Sequence, residues 1–594
     1  MSHSLSSRSL LSGNEAIARG AWEAGVAVAT GYPGTPSTEI LEAVRAFKGD
    51  IYCEWSPNEK VALEVAAGAS LAGARAIVTM KHVGLNVAAD PLMTLSYIGT
   101  VGGLVIIVAD DPGMHSSQNE QDTRHYARFA KIPILEPSDA QEAKDFVALG
   151  LEISETYKTP VILRSTTRVS HSSGVVTLVD RGPARSIPGF QKDPQRFVPI
   201  PLYGRPMRVY VEERLNALTA AASVSVANRI EWGDRSLGII AEGIAYQYVR
   251  ELLPDASVLK IGWGWPFPDE LIRQFAAGVK KLLIVEELDA IMEEHVRSLG
   301  IPCEGRSKVP GIGELSSDTL APALLGKAFS PAPAVSDLPA RPPVLCPACP
   351  HRGIFFALGK LDVTVTGDIG CYSLGVFPPL KRIDTILCMG AGISMAHGMQ
   401  KANAMRGADA EPTRKIVGIV GDSTFFHSGI TGLLDIVYNK GASTVIVVDN
   451  RTTAMTGHQE HPGTGRTLLG EPTIAAKVED FGRACGLSNV ATVDPYDLKA
   501  TTEVLRNAVE SGQPWLIVAR AVCPLAAKKN PGPARRVNQD KCKKCKACLR
   551  LGCPAIEWVN DEIHVNELLC GGCALCEKVC KDDAFELATG ECHE

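Results

Sequence analysis

Eight of the chain's seventeen cysteines lie between positions 542 and 580, in two tightly spaced runs. The first is Cys542-x2-Cys545-x2-Cys548-x4-Cys553-Pro554, and the second is Cys570-x2-Cys573-x2-Cys576-x3-Cys580. Three thiolates in one loop clasp one side of an iron–sulfur cube, and a distant fourth closes it. Paired structural zinc sites are the competing reading, but zinc modules rarely use three cysteines at x2-x2 spacing, so iron is expected. A second group of chemically able residues sits at the ends of apolar runs. Ile416–Val420 leads into Gly421-Asp422-Ser423, and Thr444–Val448 leads into Asp449-Asn450. Open α/β sheets bind ligands at such strand ends, although a lone Gly-Asp-Ser says little. Glu59 opens an Ala-rich helical stretch, where a carboxylate also complements the helix dipole. Lys81-His82 follows another apolar run, Ala76–Met80, and a Lys-His pair there is often an ordinary loop feature.

The elements that must carry these residues are short strands alternating with helices. Val26–Thr30, Ala76–Met80, Leu104–Ala109, Val161–Arg164, Gly238–Ala241, Leu282–Glu286, Ile416–Val420 and Thr444–Asp449 read as strands separated by Ala-rich helical segments. That rhythm predicts an α/β protein built from parallel sheets. The length of 594 residues allows about four domains at roughly 150 residues each. Residues 176–231 are rich in proline and charge, with one helical piece near Tyr210–Ala222, and read as a linker region. Phe329–Pro350 carries seven prolines, Pro331, Pro333, Pro339, Pro342, Pro343, Pro347 and Pro350, and reads as a stiff spacer. Residues 526–541 form a basic tether. The expected domains are therefore 1–175, 232–328, 344–525 and 541–594. The net charge of −6 offers no nucleic-acid partner, and no apolar run approaches the length of a membrane span. The first residues show no signal peptide. The cysteines suit metal ligation in a reducing cytoplasm better than disulfides.

The doubled cysteine pattern resembles bacterial two-cluster ferredoxins, where the last cysteine of each run serves the other cluster. That implies one 4Fe-4S cluster on Cys542, Cys545, Cys548 and Cys580, and another on Cys570, Cys573, Cys576 and Cys553. Two positions depart from the pattern: four residues rather than three precede Cys553, and Lys581 replaces the expected proline. The GDS…DN pair at 421–423 and 449–450 resembles the diphosphate–metal motif of thiamine-diphosphate enzymes, usually written GDG…NN. The resemblance implies Mg²⁺ held by the Asp422 carboxylate, the Asn450 amide oxygen and the Thr452 carbonyl. It also places Gly421, Ser423, Thr456 and Gly457 around the cofactor.

Taken in order, LSGNEAIARG, GYPGTPSTEI, EWSPNEKVALEVAAGAS, CPACPHRG, GDIGCYSLG, GDSTFFHSGI and TTAMTGHQEHPG extend the likeness over essentially the whole chain. They resemble the α-subunit family of indolepyruvate ferredoxin oxidoreductases, a branch of the thiamine-diphosphate-dependent 2-oxoacid:ferredoxin oxidoreductases. The resemblance implies three transketolase-like parallel-sheet domains followed by a small α+β two-cluster ferredoxin domain. Residues 1–175 then bind the pyrimidine, 344–525 bind the diphosphate, and 232–328 form the cofactor-free third domain. In that third domain the Ile261–Pro266 loop is expected to serve packing rather than a subunit contact. Glu59 is implied as the activating glutamate, with Glu54 and Glu64 as competitors. Thr35, Lys81 and His82 are implied around the substrate carboxylate and carbonyl, and His115–Glu120 is read by position alone as lining the same mouth. Cys346, Cys349, Cys371 and Cys523 either hold a third cluster or are buried apolar cysteines; both readings stand.

One-electron centres favour stepwise oxidation over simple decarboxylation or transfer to a lipoyl arm. By resemblance, the reaction joins an aryl pyruvate, coenzyme A and oxidised ferredoxin to give aryl-acetyl-CoA, CO₂ and reduced ferredoxin. A smaller β subunit is the implied partner, in a dimer of heterodimers. The lysines and arginines around 528–546 read as a solvated tether ahead of a docking patch for acidic ferredoxin. The rival readings are a relative acting on aliphatic 2-oxoacids, a non-catalytic electron-transfer subunit, and a redox-silent carboligase.

Overall fold

Ala76–Lys81, Leu104–Asp110 and Val161–Thr166 are buried at every position, as strands covered on both faces of a parallel sheet must be. The computed structural model describes residues 7–182, 185–327, 338–339, 342–406 and 413–588. It divides into two compact units, residues 1–336 and 337–594. Pro331 and Pro333 of the proline-rich spacer lie outside the described residues.

The first unit contains a seven-stranded sheet. Its six strands Ile134–Leu135, Val161–Thr166, Leu104–Asp110, Ala76–Lys81, Val28–Gly31 and Tyr52–Trp55 run parallel in that spatial order. Trp263–Trp265 adds an antiparallel edge strand. The tryptophan loop therefore packs, with Trp263 only 2% exposed. A second sheet of four strands has Asp234–Glu242 parallel to both Ala256–Ile261 and Leu282–Val285, with Arg229–Glu231 antiparallel at the edge. The helical piece expected at 210–222 is longer, Pro201–Val224, because Pro201 sits at the first helical position, where its missing N–H costs nothing.

A buried charge cluster joins the two sheets of this unit. Arg124 donates to Asp122 Oδ2 (2.5 Å), to Glu286 Oε2 (2.6 Å) and to Glu242. Arg164 donates to Asp110 Oδ2 (2.6 Å) and Glu136 Oε2 (2.5 Å). Burial pushes the nearby Glu287 carboxyl up to about 7, against the pull of the Leu315 N–H and the two arginines.

The second unit is built on a five-stranded, all-parallel sheet in the order Val363–Thr366, Lys415–Gly421, Thr444–Asp449, Trp515–Arg520, Val490–Val493. The chain is thus α/β on three largely parallel sheets. A small α+β segment follows, with two antiparallel pairs, Arg535–Val537 with Phe585–Leu587 and Ile556–Val559 with Glu562–Val565, and a short helix, Leu575–Val579. Its core of Leu551, Ile563, Leu575 and Phe585 includes Leu498 from the sheet domain's helix Leu498–Ser511. Several of its lysines have internal partners: Lys541 pairs with Glu586 (2.8 Å), Lys544 with Glu562 (3.3 Å), and Lys546 lies 3.8 Å over the Trp558 ring.

Candidate functional site

In the first unit the chosen residues gather at the carboxyl ends of parallel strands. Glu59 is the first residue of the helix Glu59–Leu71, started by Asn58, whose side chain accepts from Val61 N at 2.9 Å. Such a cap contributes about 1 kcal/mol, and here it fixes the site glutamate. Glu59 is buried, and a Cβ at Gly84 would lie 2.6 Å from its Oε1. Only glycine at position 84 leaves room for this carboxyl. The competitors are engaged elsewhere. Glu54 accepts from Tyr52 Oη (2.6 Å) and Ser56 Oγ (3.0 Å). Glu64 pairs with Lys60 on the exposed helix face.

Lys81 ends the strand Ala76–Lys81, and its Nζ donates to the Ser116 carbonyl at 2.9 Å. Ser116 Oγ in turn donates to the Thr35 carbonyl at 3.1 Å. The structure therefore brings Thr35, Lys81 and the 115–120 loop together. His82 opens the helix His82–Val87, which also carries Gly84, with its Nε2 3.3 Å from the Asn119 carbonyl. Burial lowers the Lys81 ammonium to about 8, against the attraction of Asp111. Burial also lowers His82, with Asp110 opposing.

In the second unit Asp422 lies buried at the carboxyl end of Lys415–Gly421. Its carboxylate accepts from Ser423 N (2.9 Å) and Arg451 N (2.7 Å), and His461 Nε2 lies 3.1 Å away. Burial disfavours its charge, but His461, the Ser423 N–H and the Asp449 side chain hold it below the usual carboxylate range. One terminus of the Asn450 side-chain amide lies 3.3 Å from Asp422 Oδ1 and 2.8 Å from the Thr452 carbonyl. An NH₂ there donates to both. Turned by half a rotation, the amide adds a third oxygen, and the trio becomes the donor set a hard cation takes. The next residues form a closed turn: Thr453 Oγ1 donates to Ser423 Oγ (2.9 Å) and Thr456 Oγ1 to Gln459 Oε1 (2.6 Å). Gly457 supports that turn at φ +122°, a conformation costly for any other residue. A π-helical turn, Phe425–Gly429, follows Asp422-Ser423-Thr424, the kind of irregularity common beside functional sites.

Twelve of the seventeen cysteines fall into three quartets. Cys542, Cys545, Cys548 and Cys580 line one small cavity, and Cys553, Cys570, Cys573 and Cys576 line another. These are the two sets implied by the ferredoxin pattern. Among the described residues, no three His, Cys, Asp or Glu side chains are placed to hold a single metal ion; the two C-terminal quartets each line a cavity instead. Cys346, Cys349, Cys371 and Cys523 also meet. Burial and the neighbouring sulfurs of Cys346 and Cys523 push the Cys371 thiol up to about 11. Cys349 rises to about 12 through burial, against Arg352, with Cys371 and Cys346 adding to the rise.

This third set adjoins both other sites of the unit. Cys523 N donates to the Asn450 carbonyl at 3.0 Å. Tyr372, next to Cys371, packs so close to Gly421 that a Cβ there would be 2.9 Å from its ring. On the other side, Ala348 lines the cavity of the Cys553 quartet, and its carbonyl accepts from Tyr496 Oη at 2.6 Å. Sequence reasoning does not single out His461, Arg352 or Tyr496. The only signal for the first two is position inside motifs read for other residues, and for Tyr496 there is none.

Residues 368–519 match the family model described as thiamine pyrophosphate enzyme, C-terminal TPP binding domain. Residues 19–219 match the model for pyruvate flavodoxin/ferredoxin oxidoreductase, thiamine diphosphate-binding. Fold and site together define a thiamine-diphosphate-dependent oxidoreductase of the 2-oxoacid:ferredoxin class. The chain is 43% identical to indolepyruvate oxidoreductase subunit IorA of Pyrococcus abyssi, over 98% of this chain and 97% of that protein. It is 41% identical to the IorA subunit of Methanothermobacter marburgensis, with the same coverage of 98% and 97%. A solved 2-oxoglutarate:ferredoxin oxidoreductase from Magnetococcus marinus aligns at 17% identity and TM-score 0.41, over 50% of this chain and 61% of that one. The chain belongs to the family of indolepyruvate oxidoreductase IorA subunits. Among the described residues, no helix is long and apolar enough to cross a membrane.

Proposed function

We propose that the chain carries out the oxidative decarboxylation of indolepyruvate and other aryl pyruvates with coenzyme A. Aryl-acetyl-CoA and CO₂ leave, and two electrons pass singly through iron–sulfur clusters to two ferredoxins. The observation that carries this reading is the succession of three cysteine quartets in the second unit, beginning one hydrogen bond from Asn450. The aryl preference rests on the indolepyruvate named in the full-length relatives.

Bound thiamine diphosphate supplies the electron sink that makes loss of CO₂ easy. The chain's own residues do the rest. Asp422, Asn450 and the Thr452 carbonyl hold Mg²⁺, with Gly421, Ser423, Thr456 and Gly457 around the diphosphate. Glu59 exchanges a proton with a ring nitrogen of the pyrimidine. Lys81 binds the substrate carboxylate, with Thr35 and His82 near its carbonyl. The C-terminal quartets would hold two clusters, and Cys346, Cys349, Cys371 and Cys523 would hold a third. A smaller β subunit completes the enzyme as a dimer of heterodimers, in the cytoplasm.

The test is anaerobic co-purification with the smaller subunit, then a 2-oxoacid panel with coenzyme A and a viologen dye. A higher kcat/KM for pyruvate than for indolepyruvate would overturn the aryl assignment. Iron should reach about 12 atoms per chain, four per cluster; about 8 would remove the Cys346 quartet from the relay.

Lys81 sets a pH dependence. Below its value of about 8 it is charged and holds the carboxylate; above it the amine is neutral and the attraction is lost. KM for the 2-oxoacid should therefore rise about tenfold per unit above pH 8, with kcat much flatter. Lys81→Arg, which stays charged, should remove the inflection. A KM flat to pH 10 in the natural enzyme would take Lys81 out of substrate binding.

A further inference from the structure

Arg352 is a buried cation without a buried anion. Its side chain is 1% exposed, on the helix His351–Leu358 that starts directly behind Cys349. Nη1 donates to the Leu551 carbonyl (2.6 Å), and Nη2 donates to the carbonyls of Leu345 (2.8 Å) and Cys346 (3.1 Å). Nε is buried with no hydrogen-bond partner among the described residues. No carboxylate among those residues pairs with this guanidinium. In the first unit the buried Arg124 and Arg164 are each ringed by carboxylates, whereas the buried Arg214 is held, like Arg352, by carbonyls and one hydroxyl; what sets Arg352 apart is the cysteines it lies among. A guanidinium keeps its charge in a protein, and burying it against carbonyl dipoles alone is strongly unfavourable. An anion beside it would offset that cost.

The nearest candidates are sulfurs. Arg352 lines the cavity of Cys553, Cys570, Cys573 and Cys576, and a Cβ at Gly552, next to Cys553, would lie 3.4 Å from its Nη1. Its Cys346 and Leu345 partners belong to the loop of the other quartet. A 4Fe-4S cube with four thiolates is a net anion, and each added electron makes it more negative.

We propose that Arg352 is the built-in counter-cation of the relay, shared by the Cys346 and Cys553 quartets, and that it favours their reduced forms. The proposal rests on the iron–sulfur reading above. Arg352 then acts as a positioning residue, and charge beside a cluster is one of the protein's levers on potential.

The test compares Arg352→Gln and Arg352→Lys in the full chain with its partner subunit, purified anaerobically. Iron is counted, and the centres are titrated by EPR. Gln can still donate to carbonyls but carries no charge, whereas Lys keeps the charge and loses the planar fork. Arg352→Gln with full iron should shift at least one centre toward its oxidised form by tenfold or more, about 59 mV for one electron. Arg352→Lys should shift it by less than half of that. Loss of iron in Arg352→Gln but not in Arg352→Lys would also support the charge role. Unmoved potentials in Arg352→Gln, equal shifts in both variants, or iron loss in both would overturn it and leave the cluster reading intact. An iron-free natural protein would overturn both.

Discussion

Asp422→Asn should abolish cofactor-dependent turnover while leaving the fold and the iron content unchanged. The substitution keeps the side chain's shape and one oxygen. It removes the carboxylate from the trio of Asp422, the Asn450 amide and the Thr452 carbonyl, in which one terminus of the amide lies 3.3 Å from Asp422 Oδ1 and 2.8 Å from the Thr452 carbonyl. A hard divalent cation binds through charge as much as geometry. Loss of an outer-shell partner alone costs roughly 10–100-fold in metal affinity, so loss of the ligand charge should weaken Mg²⁺-dependent thiamine-diphosphate binding by more than about 100-fold. His461 at 3.1 Å cannot compensate, because it is not an anion. Calorimetric titration with thiamine diphosphate at saturating Mg²⁺ reads the effect directly. A variant turning over at full speed would remove Asp422 from the site.

Glu59→Gln should act on rate rather than binding. Glutamine fits the space that Gly84 leaves, so packing and cofactor affinity should hold within a few-fold. What disappears is proton exchange, and general acid–base groups contribute roughly 10²–10⁴-fold to rate. kcat should fall by that factor with iron content unchanged. Glu64→Gln is the control. Its carboxylate pairs with Lys60 on the exposed face, and surface changes of this kind stay within about 0.5 kcal/mol of neutral. A Glu59→Gln enzyme with natural kcat would return the role to Glu54.

The parallel strands were legible because strands covered on both faces leave unbroken apolar runs; those expected around 76–80, 104–109, 161–164 and 444–449 appear within a residue or two. The C-terminal quartets were legible because their spacing encodes a loop. The Cys346 set could be named only through the family likeness, with a third cluster and buried apolar cysteines both open, because its members come from three distant segments and nothing local separates a core cysteine from a ligand. Three glutamates near position 59 look alike in one dimension, and burial against Gly84 distinguishes one of them. Ala256–Ile261 and Val490–Val493 escaped notice as strands because they lack a clear apolar run. Arg352 and Arg124 are invisible to any local rule, since arginine normally belongs on the surface and its partners here arrive from far along the chain.

The Arg124 cluster has a consequence for anyone dissecting the polypeptide. A fragment cut off near residue 231 would keep Arg124 and Asp122 but discard Glu242 and Glu286. Removing partners from a buried ion pair costs about 3–5 kcal/mol, a large share of a domain's whole stability. The stretch after 232 is thus a keystone of the N-terminal half rather than an appendage, and expression of the first sheet without it should yield aggregate.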